Sequence, residues 1–335
     1  MKILKYMLVV LLCAALIMVG VPAVSAQQEG TIIIDIESGE TAEELLSTDV
    51  PAWASSDVEV PTNANAIEIG GKSAILMELS SGQVLFEKNP HERLPIASVT
   101  KVMTLLLIMD ALDSGIIKLE DTVTCSEHAA SMGGSQIWLE PGEIMTVHDL
   151  IKAIAVVSAN DACAMIAEYI SGSEEGFVQS MNERAAALGM NNTHFTDCCG
   201  LDDEAYSTAN DVALMSRELI KYKKITEYTT IWMDSLRNGK SQLVNTNRLI
   251  RFYPGATGLK TGTTSKAGHN LAATAERDGM GLAAVILGCK TSDERFGGTR
   301  KMLDYGFANY TIYTPKIDKN ALTPVKVLRG VEEMV

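Results

Sequence analysis

Apolar residues recur along this chain at two different periods, and the change of period divides it into parts. Between Lys72 and Lys88 two short apolar runs flank Ser80-Ser-Gly82, the pattern of a strand, a tight turn and a second strand. From 98 to about 222 the apolar spacing is helical, and it predicts helices over 98–112, 147–157, 161–171, 175–188 and 208–221. Strand character returns over 266–274 and 281–288, joined by the turn Glu276-Arg-Asp-Gly279, and a last helix is expected over 295–309. Strands at both ends with helices between them predict an α/β fold of the mixed α+β kind. The terminal segments meet in one antiparallel sheet flanked by helices, and an all-helical subdomain is inserted between them.

The flanks read differently. Lys2 and Lys5 precede an apolar run from Met7 to Val21, and Val24-Ser-Ala26 offers small residues before polar Gln27-Gln28-Glu29. Residues 1–26 therefore read as a cleaved secretory signal, which places the mature protein outside the cytoplasm, in the cell envelope or secreted. The run is shorter than the roughly 20 residues of a spanning helix. Cys13 follows Leu11 and Leu12 rather than a small residue, which argues against lipid attachment. Residues 27–65 are acidic and rich in Ser, Thr and Pro, with little periodicity apart from Ile32-Ile-Ile34, and read as a linker with one sticky patch. The body of the molecule is expected over 66–312. The alternation Val325-Lys-Val327 suggests that 313–335 begin a further, incomplete β-rich domain.

A chain of 335 residues with 47% hydrophobic content can build a large core. A net charge of -14 argues against a nucleic-acid partner, which would require a basic face. Removing the signal leaves Cys125, Cys163, Cys198, Cys199 and Cys289, an odd number, so they cannot all pair within one chain. There is no Cys-x-x-Cys and no His-Glu-x-x-His, so no metal is expected. Most of these thiols read as small core or loop residues, with adjacent Cys198-Cys199 the pair that stands apart.

Three fragments carry the candidate chemistry, in the order Ser98-Val-Thr-Lys101, Ser158-Ala-Asn160 and Lys260-Thr-Gly262. A serine and a lysine three apart on a helix share one face, so the amine reaches the hydroxyl. The hydroxyl becomes a nucleophile only when an adjacent base takes its proton. A lysine can be that base when burial or a neighbouring cation favours its neutral form, and Lys260 is the candidate cation. The segment opens after Pro95 and runs into Val102, Met103, Leu105 and Leu106, so Ser98 is expected in the first turn of a buried helix. There the free backbone N–H groups favour a developing oxyanion.

Each fragment is weak alone. A Ser-x-x-Lys match arises by chance about once in a chain of this length, but Ser98 is the only serine here with lysine three positions on. Ser180-Met-Asn182 also fits Ser-x-Asn; Ser158 is preferred because it follows the apolar run 151–157 and precedes a helical run. Lys-Thr-Gly is rarer and occurs once. The ordered trio describes one acylating site. Two other matches fail on context. Gly70-Gly-Lys-Ser73 has Ala66 where a phosphate loop needs its first glycine. Gly279-Met-Gly-Leu-Ala-Ala284 leads from a turn into a strand rather than a helix. No nucleotide or other cofactor is expected.

With these motifs the chain resembles the low-molecular-mass penicillin-binding proteins that act as D-alanyl-D-alanine carboxypeptidases, from about Ala66 to Tyr310. The resemblance includes Ala74-Ile-Leu-Met-Glu-Leu, Gly82-Gln-Val-Leu-Phe-Glu, Pro95-Ile-Ala-Ser-Val-Thr-Lys101, Trp138-Leu-Glu-Pro-Gly142 and Ser158-Ala-Asn-Asp-Ala162. It continues through Leu188-Gly-Met-Asn-Asn-Thr-His-Phe195 to Lys260-Thr-Gly262. It implies a β-lactamase/transpeptidase-like sheet with an all-helical lobe, a peptidoglycan stem peptide as substrate and β-lactam antibiotics as inhibitors. It also implies roles. Ser98 attacks the terminal D-alanyl-D-alanine carbonyl, Lys101 accepts its proton, Ser158 relays a proton to the leaving amine, and Asn160 holds the substrate amide or Lys101. Backbone N–H groups of Ser98 and Thr263 make the oxyanion hole. Lys260, Thr261 and Arg295 bind the terminal carboxylate, with a helix-start surface charge as the plain alternative for Arg295. His269 reads as a strand residue with a satisfied side chain. Such relatives often add a C-terminal β-rich domain and an amphipathic helix, so membrane association would arise only through such a segment.

Two departures stand out. Ser158-Ala-Asn160 replaces the commoner Ser-Gly-Asn, and Cys199 stands where relatives commonly place a histidine before Gly-Leu. A class A β-lactamase shares the trio but needs a further glutamate to activate the deacylating water. The loop 196–210 offers Glu204, without a Glu-x-x-x-Asn pattern. A non-catalytic β-lactam-sensing or wall-binding protein is the other alternative, and it predicts a damaged trio.

Overall fold

A computed structural model describes residues 31–33, 41–56 and 59–313. The signal reading over 1–26 lies outside the described residues, as does all of 313–335 except Tyr313. The chain begins with β1 (Thr31–Ile33) and α1 (Ala42–Leu46), then forms the hairpin β2 (Ser73–Glu78) and β3 (Val84–Lys88). The helical lobe follows, with α2 (Lys101–Asp113), β4 (Thr122–Thr124), α3 (Glu127–Ala130), β5 (Ile144–Thr146), α4 (Val147–Val157), α5 (Asn160–Ser171), α6 (Glu174–Ala187), α7 (Ala209–Leu219) and α8 (Lys223–Thr229). A second hairpin, β6 (Met233–Leu236) and β7 (Ser241–Val244), and short α9 (Leu249–Phe252) lead back to β8 (Ala256–Thr264), β9 (Gly268–Arg277), β10 (Met280–Cys289) and α10 (Ser292–Asn309).

The central sheet runs in the order β3-β2-β10-β9-β8 and is antiparallel throughout. The two ends of the body therefore meet where β2 pairs with β10, Ile75 opposite Val285. Because side chains alternate across a strand, the sheet feeds two cores. Ile75, Met77, Ala272, Val285 and Leu287 face the helical lobe, whereas Ala74, Leu76, Leu271, Leu282 and Ile286 face α10. Burial on both faces explains why these strands read as continuous apolar runs.

Helix α2 is the pillar of the lobe. It has no polar stripe in its middle, and Val102, Met103, Leu105, Leu106 and Ile108 are all fully buried, as expected of a helix enclosed on every side. Each such side chain contributes about 1.5–3 kcal/mol of burial, so the turn in front of α2 rests on a rigid base.

The segment read as a linker is part of the fold. Thr31–Ile33 pairs in parallel with Ser241–Leu243, and Ile33 is buried. Trp53 stacks on Phe296 of α10 at 5.1 Å and meets Phe252 edge-on at 6.1 Å, and its carbonyl accepts a hydrogen bond from Arg300. A lone aromatic in a polar stretch carries no period, so only its partners reveal its role. The strand pairs β4–β5 and β6–β7 escaped notice for a similar reason, since three- or four-residue strands are too short to show alternation. Trp53→Ala is expected to cost about 3–5 kcal/mol of stability, read as a lower denaturant midpoint; an unchanged midpoint would return this segment to a linker.

Candidate active site

The serine does not open an α-helix. Ser98 lies in the 3-10 turn Ala97–Thr100, and α2 starts one residue later at Lys101. The tighter turn still puts the amine on the hydroxyl: Lys101 Nζ donates to Ser98 Oγ at 2.8 Å. Nζ also donates to the carbonyl of Cys199, likewise at 2.8 Å. Lys101 is fully buried and Ser98 is 2% exposed. Burial strengthens every polar interaction around this pair.

The loop carrying Cys199 is organised by one carboxylate. Asp197 accepts from the amides of Cys199 at 2.7 Å and Asp202 at 2.6 Å, and from that of Gly200. Thr104 Oγ1 donates to the Cys198 carbonyl at 2.5 Å, so two successive carbonyls of this loop grip α2. Gly200 has φ +83°, and a Cβ there would lie 2.0 Å from the Ala97 carbonyl oxygen. Only glycine lets the loop press on the serine turn.

Ser158 caps α4 in the left-handed conformation, φ 64° and ψ 27°. This kink separates α4 from α5 and turns the serine out of both helices, at a cost of about 1–3 kcal/mol for a non-glycine residue. Its Oγ is buried without a hydrogen-bond partner. Asn160 donates from Nδ2 to the Gly133 carbonyl at 2.8 Å, while its buried Oδ1 is likewise unpartnered. The next residue, Asp161, accepts from the amides of Ile137, Leu139 and Ala162 and so pins the Trp138 loop to α5. Burial pushes the Asp161 carboxyl up against the pull of these amides.

Lys260, Thr261, Gly262 and Thr263 occupy the second half of β8, which is an edge strand of the central sheet. A Cβ on Gly262 would lie 2.6 Å from the Ile96 carbonyl oxygen, 2.8 Å from the Val99 nitrogen and 3.0 Å from the Ser98 nitrogen. The strand backbone therefore touches the serine turn directly. Lys260 is buried, and its Nζ donates to the Thr261 carbonyl at 2.9 Å. Thr261 Oγ1 lies 2.7 Å from Thr246 Oγ1, and the Thr246 amide donates to the Val156 carbonyl near the end of α4 at 3.2 Å. Thr246 thus ties β8 to the helix that presents Ser158.

Arg295 is fully buried and is no surface charge. It donates to Thr263 Oγ1 and Ser292 Oγ, each at 3.1 Å, and lies over the Phe296 ring. His269, cross-strand from Thr263, is half-buried with Nδ1 unpartnered, so its side chain is not satisfied as the sequence reading held. Burial, and then the Arg295 guanidinium, holds it below the usual imidazole range. Glu204 points away from the site; its side chain is 83% exposed and lies 3.6 Å from Lys266. The structure thus brings Lys101, the Cys199 carbonyl and the Gly262 backbone onto one serine turn, and Thr246 links the Lys260 fragment to the helix that ends at Ser158. Sequence reasoning missed Thr246, Asp197 and Asp161, although an aspartate three residues before Gly200 is a turn signal.

Comparison with known proteins agrees with this geometry. The family model described as D-alanyl-D-alanine carboxypeptidase matches residues 59–291. The chain belongs to this family. It is 50% identical over 268 residues to D-alanyl-D-alanine carboxypeptidase DacF of Bacillus subtilis, covering 79% of this chain and 69% of that protein. It is 38% identical over 270 residues to DacC of Escherichia coli, covering 78% and 66%. The chain thus spans about two thirds of the length of these relatives. Among solved structures it resembles the carboxypeptidase DacD of Francisella tularensis, with TM-score 0.72, 28% identity, and coverage of 84% of this chain and 79% of that one. It also resembles penicillin-binding protein D2 of Listeria monocytogenes in its ampicillin-bound form, with TM-score 0.63, 30% identity, and coverage of 72% and 99%. The mixed fold with its antiparallel sheet and helical lobe is that of these carboxypeptidases.

Gly262→Ala is expected to push β8 off the serine turn and slow acylation by a labelled penicillin roughly a hundredfold, the scale of an ångström misplacement. An unchanged rate would show that the contact is not needed. For His269 the sign follows from its lowered value. The unfolded chain takes up a proton below about pH 6.5 while the folded ring resists it, so acid favours unfolding. The wild type should lose melting temperature relative to His269→Gln as pH falls from about 7 to 5, with the difference constant above that range. Parallel curves throughout would contradict this.

Proposed function

We propose that this protein removes the terminal D-alanine from peptidoglycan stem pentapeptides through an acyl-enzyme on Ser98, and that β-lactams acylate the same oxygen. The observation that carries the reading is the 2.8 Å contact of Lys101 Nζ with Ser98 Oγ inside a buried pocket of fully formed motifs. Lys101 takes the serine proton as the carbonyl is attacked. The unpartnered Ser158 hydroxyl passes a proton to the leaving amine, and Asn160 Oδ1 accepts from the substrate amide or from Lys101. The backbone amides of Ser98 and Thr263 receive the oxyanion, which the closeness of β8 to the serine turn favours.

Lys260 and Thr261 bind the substrate's terminal carboxylate, and Arg295 holds Thr263 in place from behind. Water then releases the acyl group. The exposure of Glu204 favours this slow hydrolysis over fast β-lactam turnover, since no glutamate of that loop faces Ser98. The intact trio favours a catalyst over a sensor. The substrate lies outside the cytoplasm, which agrees with export through residues 1–26, and a role in cell-wall shape follows from trimming stem peptides. No described helix is long and apolar enough to cross a membrane.

Two measurements test the reading. Ser98→Ala should abolish labelling by a fluorescent penicillin, and equal labelling of both proteins would remove the site assignment. Ser158→Ala should lower kcat for D-alanine release from a pentapeptide mimic by roughly 100- to 10,000-fold. Purified wild type that acylates but frees no D-alanine would favour the sensor instead.

A further inference from the structure

The acylation chemistry makes no use of the two thiols next to Lys101. Cys198 and Cys199 are fully buried, with their sulfurs 3.9 Å apart. Glu174, at the start of α6, brings a carboxylate oxygen to within 4.8 Å of both sulfurs. Its other flank meets His128, whose Nε2 lies 2.7 Å from Oε2 and whose side chain is 53% exposed, so the cluster reaches solvent through the imidazole. Two thiolates on one tetrahedral ion, each about 2.3 Å from it, must lie roughly 3.8 Å apart. The observed spacing already meets this requirement.

We propose that Cys198, Cys199 and Glu174 form a binding site for a thiophilic divalent cation such as zinc or cadmium, with His128 holding the far side of the Glu174 carboxylate as an outer support. Soft sulfur donors select such ions over magnesium or calcium. Binding releases two thiol protons to solvent and converts a buried neutral pair into a charge-compensated one. Thiols bind such an ion as thiolates, so proton release is a direct signature. The sequence hid this site because Glu174 lies on α6 and the thiols in the loop after it, 24 residues on.

The site is coupled to catalysis through the backbone. The Cys199 carbonyl holds Lys101 Nζ and the Cys198 carbonyl holds Thr104. Turning the Glu174 carboxylate onto the ion ends its hold on the Cys198 amide, whose hydrogen bond it accepts at 3.1 Å, so these carbonyls shift and the lysine loosens; the ion therefore inhibits acylation. This coupling rests on the serine-acylation reading above, whereas the binding itself does not.

The test uses the full chain titrated with cadmium, following sulfur-to-cadmium charge-transfer absorption and proton release. One equivalent should saturate the band and free about two protons. Cys198→Ser should lose the band, and Glu174→Gln should bind cadmium about 10- to 100-fold more weakly. Zinc should slow labelling of the wild type by a fluorescent penicillin about tenfold or more, the effect of losing one hydrogen bond to a charged group, and a chelator should restore the rate. Absence of the band in the wild type, or an undiminished band in Cys198→Ser, overturns the site. Should Cys198→Ser not fold, equal cadmium affinity in wild type and Glu174→Gln overturns it as well. A zinc-loaded wild type that labels at the metal-free rate overturns the coupling alone. Metal-free protein that never labels refutes the proposed function and leaves the binding measurement standing.

Discussion

The approach of two backbones governs this molecule. Gly262 of the edge strand β8 lies against the turn Ala97–Thr100, with three backbone atoms within 3.0 Å of where a side chain would begin. That contact puts Lys260, Thr261 and Thr263 on one side of Ser98 and leaves no space between them for a larger residue. From the opposite side Gly200 brings the Cys198–Cys199 loop onto the same turn. The serine is thus clamped between a strand and a loop, each admitted by one glycine. A serine fixed in this way, the proposed nucleophile, gives up little entropy when substrate arrives.

The clamp works because its supports are rigid. Enclosed helix α2 supplies the floor, and β9, buried on both faces, supplies the wall that carries β8. Asn270 links that wall to the serine segment, donating to the Pro95 carbonyl at 3.1 Å while accepting from the Gly288 amide at 2.7 Å. Thr246 performs the same service between β8 and α4. The helical lobe and the sheet therefore meet at the reacting atoms through short polar bridges rather than through apolar packing alone. Two of the buried polar atoms that lack partners, Ser158 Oγ and Asn160 Oδ1, are ones the proposed reaction assigns to substrate. An unmet buried hydroxyl or amide oxygen costs stability, and a bound peptide offsets that cost.

The pattern of the chain foretold much of this. The helices at 147–157, 161–171, 175–188 and 208–221 stand within two residues of the observed ones, since each buries one face and carries its period openly. The hairpins at both ends and their closure into one antiparallel sheet were legible as well. Less was visible where function depends on single contacts. Arg295 read equally well as a surface charge until its partners placed it behind Thr263. Trp53 read as part of a linker until Phe252 and Phe296 were seen on it.

The sequence by itself determined the reactive inventory and the order of the elements, because a serine, its lysine three residues on, the Ser-Ala-Asn junction and the Lys-Thr-Gly strand are local features. Only the tertiary structure decided how these fragments, whose first residues are 60 and 102 positions apart, are held relative to one another, and which carbonyl holds the lysine. Those are contacts between distant segments, set by which backbones can come close, and no local period records them.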